Sequence, residues 1–171
     1  MPFTPLHLGP ALFFGMVLLR YIDFPTFLVA NVIVDIEPFV ILIFGLNRAD
    51  SLGLPLHGLS HSFLGGTFVA LLLVLLMTRI REFTTPLLRL IGMEQKHGAR
   101  SIYAAALSGV YLHILLDSRL YTDIRPFYPF SLNPFLGGMA AAFGVWWFCV
   151  VTGLIGVALL VFRLARARIT Q

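Results

Sequence analysis

Charged side chains are scarce in this sequence of 171 residues, of which 12% are Asp, Glu, Lys or Arg. An average soluble domain has roughly 25%. Hydrophobic residues make up 58%, and the mean hydropathy is +0.91. This composition predicts an integral membrane protein. The length leaves room for about four or five spans of roughly 20 residues, so we expect one membrane domain over residues 1–171 and no soluble appendage.

Other common features are also missing. The single Cys149 has no intrachain disulfide partner. No basic segment precedes the first apolar run and no small-residue cleavage site follows it, so we expect no removable signal peptide. The net charge of +4 does not indicate nucleic-acid binding, because the basic residues are distributed as membrane anchors. The expected partners are therefore membrane lipids and not nucleic acid, while the oligomeric state stays open.

The apolar runs predict an all-α, polytopic helical bundle with about five transmembrane helices. The first is short and either crosses the membrane or re-enters it. Polar connections are expected at 46–54 and 79–100, and a structured, aromatic loop with three prolines at 119–138. The predicted helices cover 4–19, 23–45, 55–79, 101–118 and 139–162.

The positive charges predict the orientation of the bundle. Cytoplasmic loops of membrane proteins carry an excess of Lys and Arg. With the N-terminus outside and the C-terminus inside, all basic residues except Arg48, Arg119 and Arg125 lie on the cytoplasmic side. We therefore expect a multi-pass membrane protein in this orientation.

Two pairs of ligand-type side chains interrupt the apolar helices. His57 and His61 are four residues apart at the start of the third predicted helix, and His113 and Asp117 have the same spacing in the fourth. Residues i and i+4 lie above one another on one helix face, so each pair can converge on one metal ion. The alternatives are a hydrogen-bonded pair that fixes helix packing for His113 with Asp117, and histidines wetted at the membrane surface for His57 with His61.

Three further ionisable residues lie at a similar depth, counted at 1.5 Å per residue along each helix. Asp35 has no basic neighbour in the sequence, so a cation or a raised pKa must account for it. Glu37 points elsewhere in a regular helix unless Pro38 distorts that turn. His7 is included for its depth alone. Together these residues predict one polar layer in the outer half of the bilayer.

These motifs resemble the bacterial inner-membrane predicted metal-dependent hydrolases, the LexA-regulated hydrolase family. The resemblance covers nearly the whole chain, with its motifs in the family's order. One departure is that many relatives have a basic residue and a threonine where this chain has Gly58 and Ser60. The residues that carry the resemblance are Thr4-Pro5-Leu6-His7, Asp35-Ile36-Glu37-Pro38, His57-Gly58-Leu59-Ser60-His61-Ser62, His113-Ile114-Leu115-Leu116-Asp117-Ser118 and Pro126-Phe127-Tyr128-Pro129-Phe130.

The family is distantly similar to zinc-dependent phospholipase C and the S1/P1 nucleases, which implies one or more Zn²⁺ ions and hydrolysis of a phosphoester, either small or lipid-linked. On this hypothesis Glu37 takes a proton from water, and Arg119 and Arg125 hold the phosphate, with Tyr121, Tyr128 and Asn133 as polar partners. The two arginines can equally be interfacial anchors. The expected metal ligands are His57, His61, His113, Asp117 and Asp35, with His7 as a further one.

Two other functions use the same residues differently. A divalent-cation transporter or metal-sensing membrane protein would bind an ion without hydrolysis, although few polar residues continue towards the cytoplasm from Asp35 and His113. A purely structural membrane protein is disfavoured by the cost of so many buried ionisable groups.

Overall fold

The computed structural model describes residues 4–49, 56–90, 92–95 and 98–169. All regular structure in these ranges is helical, as the composition predicts. The predicted connection 46–54 was wrong at 46–49, which are helical and end α3; its residues 50–54, the predicted helix start at Pro55, and His97 lie outside the described residues. The α-helices are α1 (Thr4–Val17), α2 (Phe24–Ala30), α3 (Ile36–Ala49), α4 (Phe63–Leu90), α5 (Ala99–Ser118) and α6 (Met139–Ile169), and 3-10 turns cover Ile33–Asp35 and Leu59–His61.

Four segments are long and apolar enough to cross a membrane: Phe24–Ile41, Phe63–Arg89, Ala99–Ser118 and Met139–Ala167. The first helix is apolar but shorter, as expected. Its 14 residues span about 21 Å at 1.5 Å per residue, less than the ~30 Å hydrocarbon core. The prediction of four long helices and a short first one is confirmed.

The second predicted helix is not continuous, and that prediction was wrong. Asp23 caps α2 by accepting hydrogen bonds from Thr26 N at 3.1 Å and Thr26 Oγ1 at 2.6 Å, and α2 ends at Ala30. A 3-10 turn follows before α3 starts at Ile36. In a continuous helix the Pro38 ring would clash with the Val34 carbonyl, so the break precedes the proline.

The third predicted helix begins later than expected, so His57 and His61 do not share a helix face. Ser62 is the N-cap of α4: its backbone is extended and its Oγ accepts a hydrogen bond from Gly65 N at 3.0 Å. His61 therefore ends the 3-10 turn before α4. The Phe63 N–H donates to the Pro126 carbonyl at 2.8 Å, which ties this helix start to the 119–138 loop.

Three helices end later than predicted: α3 continues past residue 45 to Ala49, and two others extend further. α4 continues past Arg79 to Leu90, and α6 continues past Phe162 to Ile169. The predicted ends marked where hydrophobicity stops, but Arg, Glu and Leu are good helix formers outside the membrane as well. The expected connection at 79–100 is accordingly helical in its first half.

The helices pack in two groups around the polar layer. α4, α5 and the segment from α2 to the first 3-10 turn share an apolar core that includes Val34, Leu73 and Val110. α1 packs along α6, where a Cβ on Gly9 would overlap the Cys149 carbonyl, so only glycine allows this close approach. Among the described residues, α3 packs extensively only on the 3-10 turn before it.

The segment between α5 and α6 is a structured loop without regular helix, as predicted. The Gly137 N–H donates to the Arg119 carbonyl at 3.1 Å and joins the two ends of the loop, and Asn133 donates to the Ser118 carbonyl at 2.8 Å. Phe127 and Phe135 pack against Phe63 at the start of α4. The loop therefore lies over the end of the bundle that carries His61 and Asp117.

Candidate metal centre

Four side chains from three different segments, the two 3-10 turns and α5, meet inside the bundle. Each offers one nitrogen or oxygen atom, and these four atoms all lie within 4.8 Å of one another. Two are imidazole nitrogens and two are carboxylate oxygens, the donor types that first-row divalent metals take in proteins. The four residues, Asp35, His61, His113 and Asp117, could hold a metal ion, and we call them the metal centre.

The orientation of His113 follows from the break in the second segment. At the end of α2 the Asp35 N–H turns to the Val32 carbonyl, which leaves the Asn31 carbonyl free to receive His113 Nδ1 at 2.8 Å. A carbonyl oxygen only accepts, so Nδ1 carries the proton. His113 Nε2 then faces Asp35 Oδ1 at 3.2 Å and Asp117 Oδ2 at 3.3 Å.

The ring of His61 is arranged in the same way. Its Nδ1 lies 3.1 Å from Ser60 Oγ, and its Nε2 lies 3.5 Å from Asp35 Oδ1 and 3.9 Å from Asp117 Oδ2. The Nε2 atoms of both histidines are buried and make no hydrogen bond within the described part of the chain. Each Nε2 atom needs a proton or a cation between it and the carboxylates, and one metal ion would serve both rings at once, so the donor set fits a metal ion.

The carboxylates of the metal centre lie among imidazoles. His61, His113 and Asp117 are buried, and the Asp35 side chain is 14% exposed. In the described ranges, His7, His61 and His113 contact the two carboxylates at 3.1 to 3.9 Å. Bringing two carboxylates together inside a protein is costly, and a divalent cation bound between them would lower that cost.

His7 lies directly beside the metal centre without belonging to the group of four. Its Nε2 is 3.1 Å from Asp117 Oδ1, the oxygen that faces away from His61. The ring centroids of His7 and His113 are 4.3 Å apart. Both His7 nitrogens are buried and without a hydrogen bond in the ranges the structure describes. The predicted convergence of α1 on this layer is therefore observed, while ligation by His7 stays a prediction.

His57 lies at the edge of the metal centre and is held by a residue that the sequence did not single out. Its backbone N–H donates to Asp123 Oδ2 at 3.1 Å, and its Nδ1 lies 3.1 and 3.0 Å from the two carboxylate oxygens. The His57 ring lies against Tyr121, with centroids 4.2 Å apart, and edge-on to His61 at 4.8 Å. The sequence treated His57 and His61 as equivalent ligands; the structure places only His61 in the group of four.

Burial alone would raise the pKa of the Asp123 carboxyl, but the hydrogen bonds from the backbone and ring of His57 hold that pKa below its usual value. Burial, and then the charges of Asp117, Asp35 and Asp123, raise the pKa of Tyr121. Asp123 is therefore ionised and Tyr121 neutral at pH 7. Together with the His57 ring they form a polar cluster at the edge of the metal centre.

Glu37 lies behind His61, on the side away from the metal centre. Its Oε2 is 4.0 Å from His61 Nδ1, accepts a hydrogen bond from Ser60 N at 3.0 Å, and also contacts Ser60 Oγ. The distortion that Pro38 imposes lets Glu37 and Asp35 approach His61 from two opposite sides. Its predicted role as a proton acceptor for water is not tested by this position.

Arg119 and Arg125 are exposed on the connection that follows α5. Arg119 lines a cavity of about 460 Å³ against the start of α6. Neither guanidinium forms an ion pair with an acidic group of the described chain. Their predicted contact with a phosphate stays a prediction.

No protein-family model matches the chain, and no match is found among curated proteins or solved structures. The resemblance to inner-membrane hydrolases accordingly stays a prediction. The functional argument rests on the geometry of the metal centre.

Proposed function

We propose that the protein is a membrane-embedded, metal-dependent hydrolase of a phosphoester. The observation that carries the proposal is the pair of buried imidazoles whose Nε2 atoms face two carboxylates while their Nδ1 atoms are held from behind. A second hydrogen bond that orients the ring is typical of metal-ligating histidines. The partly exposed Asp35 leaves one side of the centre open to water and substrate.

Zinc is the proposed ion. Zn²⁺ accepts mixed imidazole and carboxylate ligands, and catalytic zinc sites keep one position open. Held in this centre, it would supply the activation of a water molecule at neutral pH and the neutralisation of charge on a phosphate. Asp35, at the partly exposed side, would bind the ion through one carboxylate oxygen and orient the water, which would join the four protein ligands as a fifth, through the other. Arg119 and Arg125 would draw the anionic substrate to this end of the bundle.

A lipid or lipid-linked phosphoester is the proposed substrate. Two apolar cavities of about 450 and 490 Å³ flank Glu37 and Ser60 on the lipid-facing side, between α3 and α4. Their walls are formed by aliphatic and aromatic side chains, among them Val40, Leu64 and Phe68. An acyl chain lying there would bring its head group to the metal centre from within the bilayer. Such lateral access explains why the centre is inside a membrane protein.

The surroundings of the metal centre argue against ion passage as its function. From His113 towards the start of α5, the neighbouring core is built from Val110, Ala106 and Ile102 with Val34 and Leu73. A conduction path needs polar groups along its length. This cluster supplies none of those polar groups on the side of the centre that it covers.

The hydrolase proposal is tested by activity on the purified protein in detergent–lipid micelles. We expect release of phosphate from a lipid phosphoester by zinc-loaded wild type, loss of activity in a chelator, and recovery on adding zinc. His113→Ala should be inactive, with a rate lower by at least about 100-fold, and Glu82→Gln, an exposed site on α4, should match wild type. A zinc-loaded wild type that is inactive on lipid and soluble phosphoesters alike would refute the proposal.

The proposed location is the inner membrane, with the metal centre in its outer half, the N-terminus outside and the C-terminus in the cytoplasm. This rests on the excess of basic residues at 79–100 and at the end of α6. A reporter fused after Gln171 should be active only if it is a cytoplasmic reporter. Activity of a periplasmic reporter at that position would show that the C-terminus is outside and contradict the proposed orientation.

A further inference from the structure

We propose that Ser60 and Glu37 are positioning residues that fix the ring of His61 for the metal, and that Glu37 acts there and not as the proton acceptor for water. The inference rests on the proposed binding of a metal ion at the metal centre, and it does not require that the protein hydrolyses a phosphoester. It starts from the side of His61 that faces away from the centre.

A chain of contacts leads from His61 back to α3. Ser60 Oγ donates to Glu37 Oε2 and lies 3.1 Å from His61 Nδ1. Because the single hydroxyl hydrogen goes to the carboxylate, the Ser60 oxygen is left to accept from Nδ1–H, and a neutral ring with its proton on Nδ1 turns the Nε2 lone pair towards Asp35 and Asp117. Carboxylates that hold metal-ligating histidines in this way also raise the basicity of the ring.

Glu37 also holds the backbone on which His61 sits. The Ser60 N–H donates to Glu37 Oε2 at 3.0 Å, and Ser60 Oγ lies 3.3 Å from the Val34 carbonyl, the one that Pro38 keeps out of a helical bond. The 3-10 turn Leu59–His61 is thereby attached to the broken segment that also carries Asp35. The hydrogen bonds of Glu37 and Ser60 therefore set the distance between Asp35 and His61, two of the proposed metal ligands.

Gly58 is part of the same arrangement. A Cβ on Gly58 would overlap Glu37 Oε1, although the backbone at Gly58 has φ −86° and is open to any residue. Glycine is needed here for the close approach of the carboxylate and not for conformational freedom. A larger side chain at position 58 would push Glu37 away from Ser60.

The test measures zinc affinity by competition with a chromophoric chelator, and the visible spectrum of the Co²⁺-substituted protein, on detergent-purified chains. Glu37→Ala and Ser60→Ala should bind zinc about 10- to 100-fold more weakly than wild type and alter the Co²⁺ spectrum. Gly58→Ala should also weaken zinc binding, because its Cβ displaces the Glu37 carboxylate while Glu37 and Ser60 themselves are unchanged. Ser60→Thr keeps the hydroxyl and should restore both readouts.

The matched control is Glu82→Gln, an exposed carboxylate on α4, which should leave both readouts unchanged. Wild-type zinc affinity and an unchanged Co²⁺ spectrum in Glu37→Ala would overturn the inference. If Glu37→Ala does not fold, the comparison of Ser60→Ala with Ser60→Thr decides, and equal affinities there would overturn it. Zinc binding without hydrolysis in wild type would refute the hydrolase alone, whereas wild type that binds no zinc would refute both.

Discussion

His61→Ala is expected to lose its metal ion, whereas His57→Ala is expected to keep it. His61 offers Nε2 to the group of four atoms within 4.8 Å, and His57 is instead committed to Asp123 through Nδ1. The zinc content of purified protein, measured by inductively coupled plasma mass spectrometry, should fall from about one ion per chain to near zero in His61→Ala. In His57→Ala it should remain close to the wild-type value.

His113→Ala and Asp117→Ala should behave like His61→Ala, because both side chains face the same point from α5. Size-exclusion profiles of the variants in detergent control for loss of fold. Equal loss of zinc in His57→Ala and His61→Ala would restore the equivalence that the sequence predicted and contradict the placement of His57 outside the group of four.

Gln95→Leu is expected to cause the largest loss of stability of a single substitution outside the metal centre. Gln95 is buried; its Nε2 donates to the carbonyls of Leu19 at 2.6 Å and Ile22 at 3.0 Å, and its Oε1 accepts from Phe24 N at 2.9 Å. The leucine leaves three buried backbone groups without partners, at about 1 kcal/mol or more each. The melting temperature should fall by on the order of 10 °C.

The matched control for this prediction is the neighbouring Glu94→Gln. Glu94 pairs with the exposed Arg89, and a surface ion pair contributes only about 0–1 kcal/mol. Its melting curve should therefore nearly coincide with that of wild type. A Gln95→Leu protein that melts with the control would show that these hydrogen bonds do not hold the turn between α1 and α2.

The convergence of His7, Asp35, His61, His113 and Asp117 could be predicted from the sequence. Ionisable side chains are expensive in the bilayer and avoid lipid, so residues at one depth on different helices turn towards each other. The depth of each follows from the rise per residue, which holds even where the helix is interrupted by one turn. The helical class follows equally directly from composition, because only helices and closed barrels satisfy their backbone within lipid.

The local backbone around the site was harder to predict. Ser62, followed by a long apolar run, is an N-cap pattern, and it marks the start of α4 better than Pro55 did. Pro38 indicates an interruption of the second segment, but only the structure shows that the break frees the Asn31 carbonyl for His113.

The partner of His57 could not be found from spacing at all. Asp123 is 66 residues away in an irregular loop, and no periodic pattern relates the two positions. The fixed period of a helix predicts which residues share a helix face, whereas a loop has no period from which contacts can be predicted. His57 was paired with His61 because the third helix was predicted to begin at Pro55, whereas α4 begins at Phe63.

The central claim is that Asp35, His61, His113 and Asp117 bind one metal ion, and zinc-edge X-ray absorption spectroscopy of the purified protein tests it most directly. The account predicts a first shell of nitrogen and oxygen at about 2.0–2.2 Å, with the outer-shell scattering of two imidazoles and no sulfur. His113→Ala loaded with excess zinc should lose at least the contribution of one of the two imidazoles. A shell containing sulfur at about 2.3 Å, or a wild-type spectrum that His113→Ala leaves unchanged, would contradict the account.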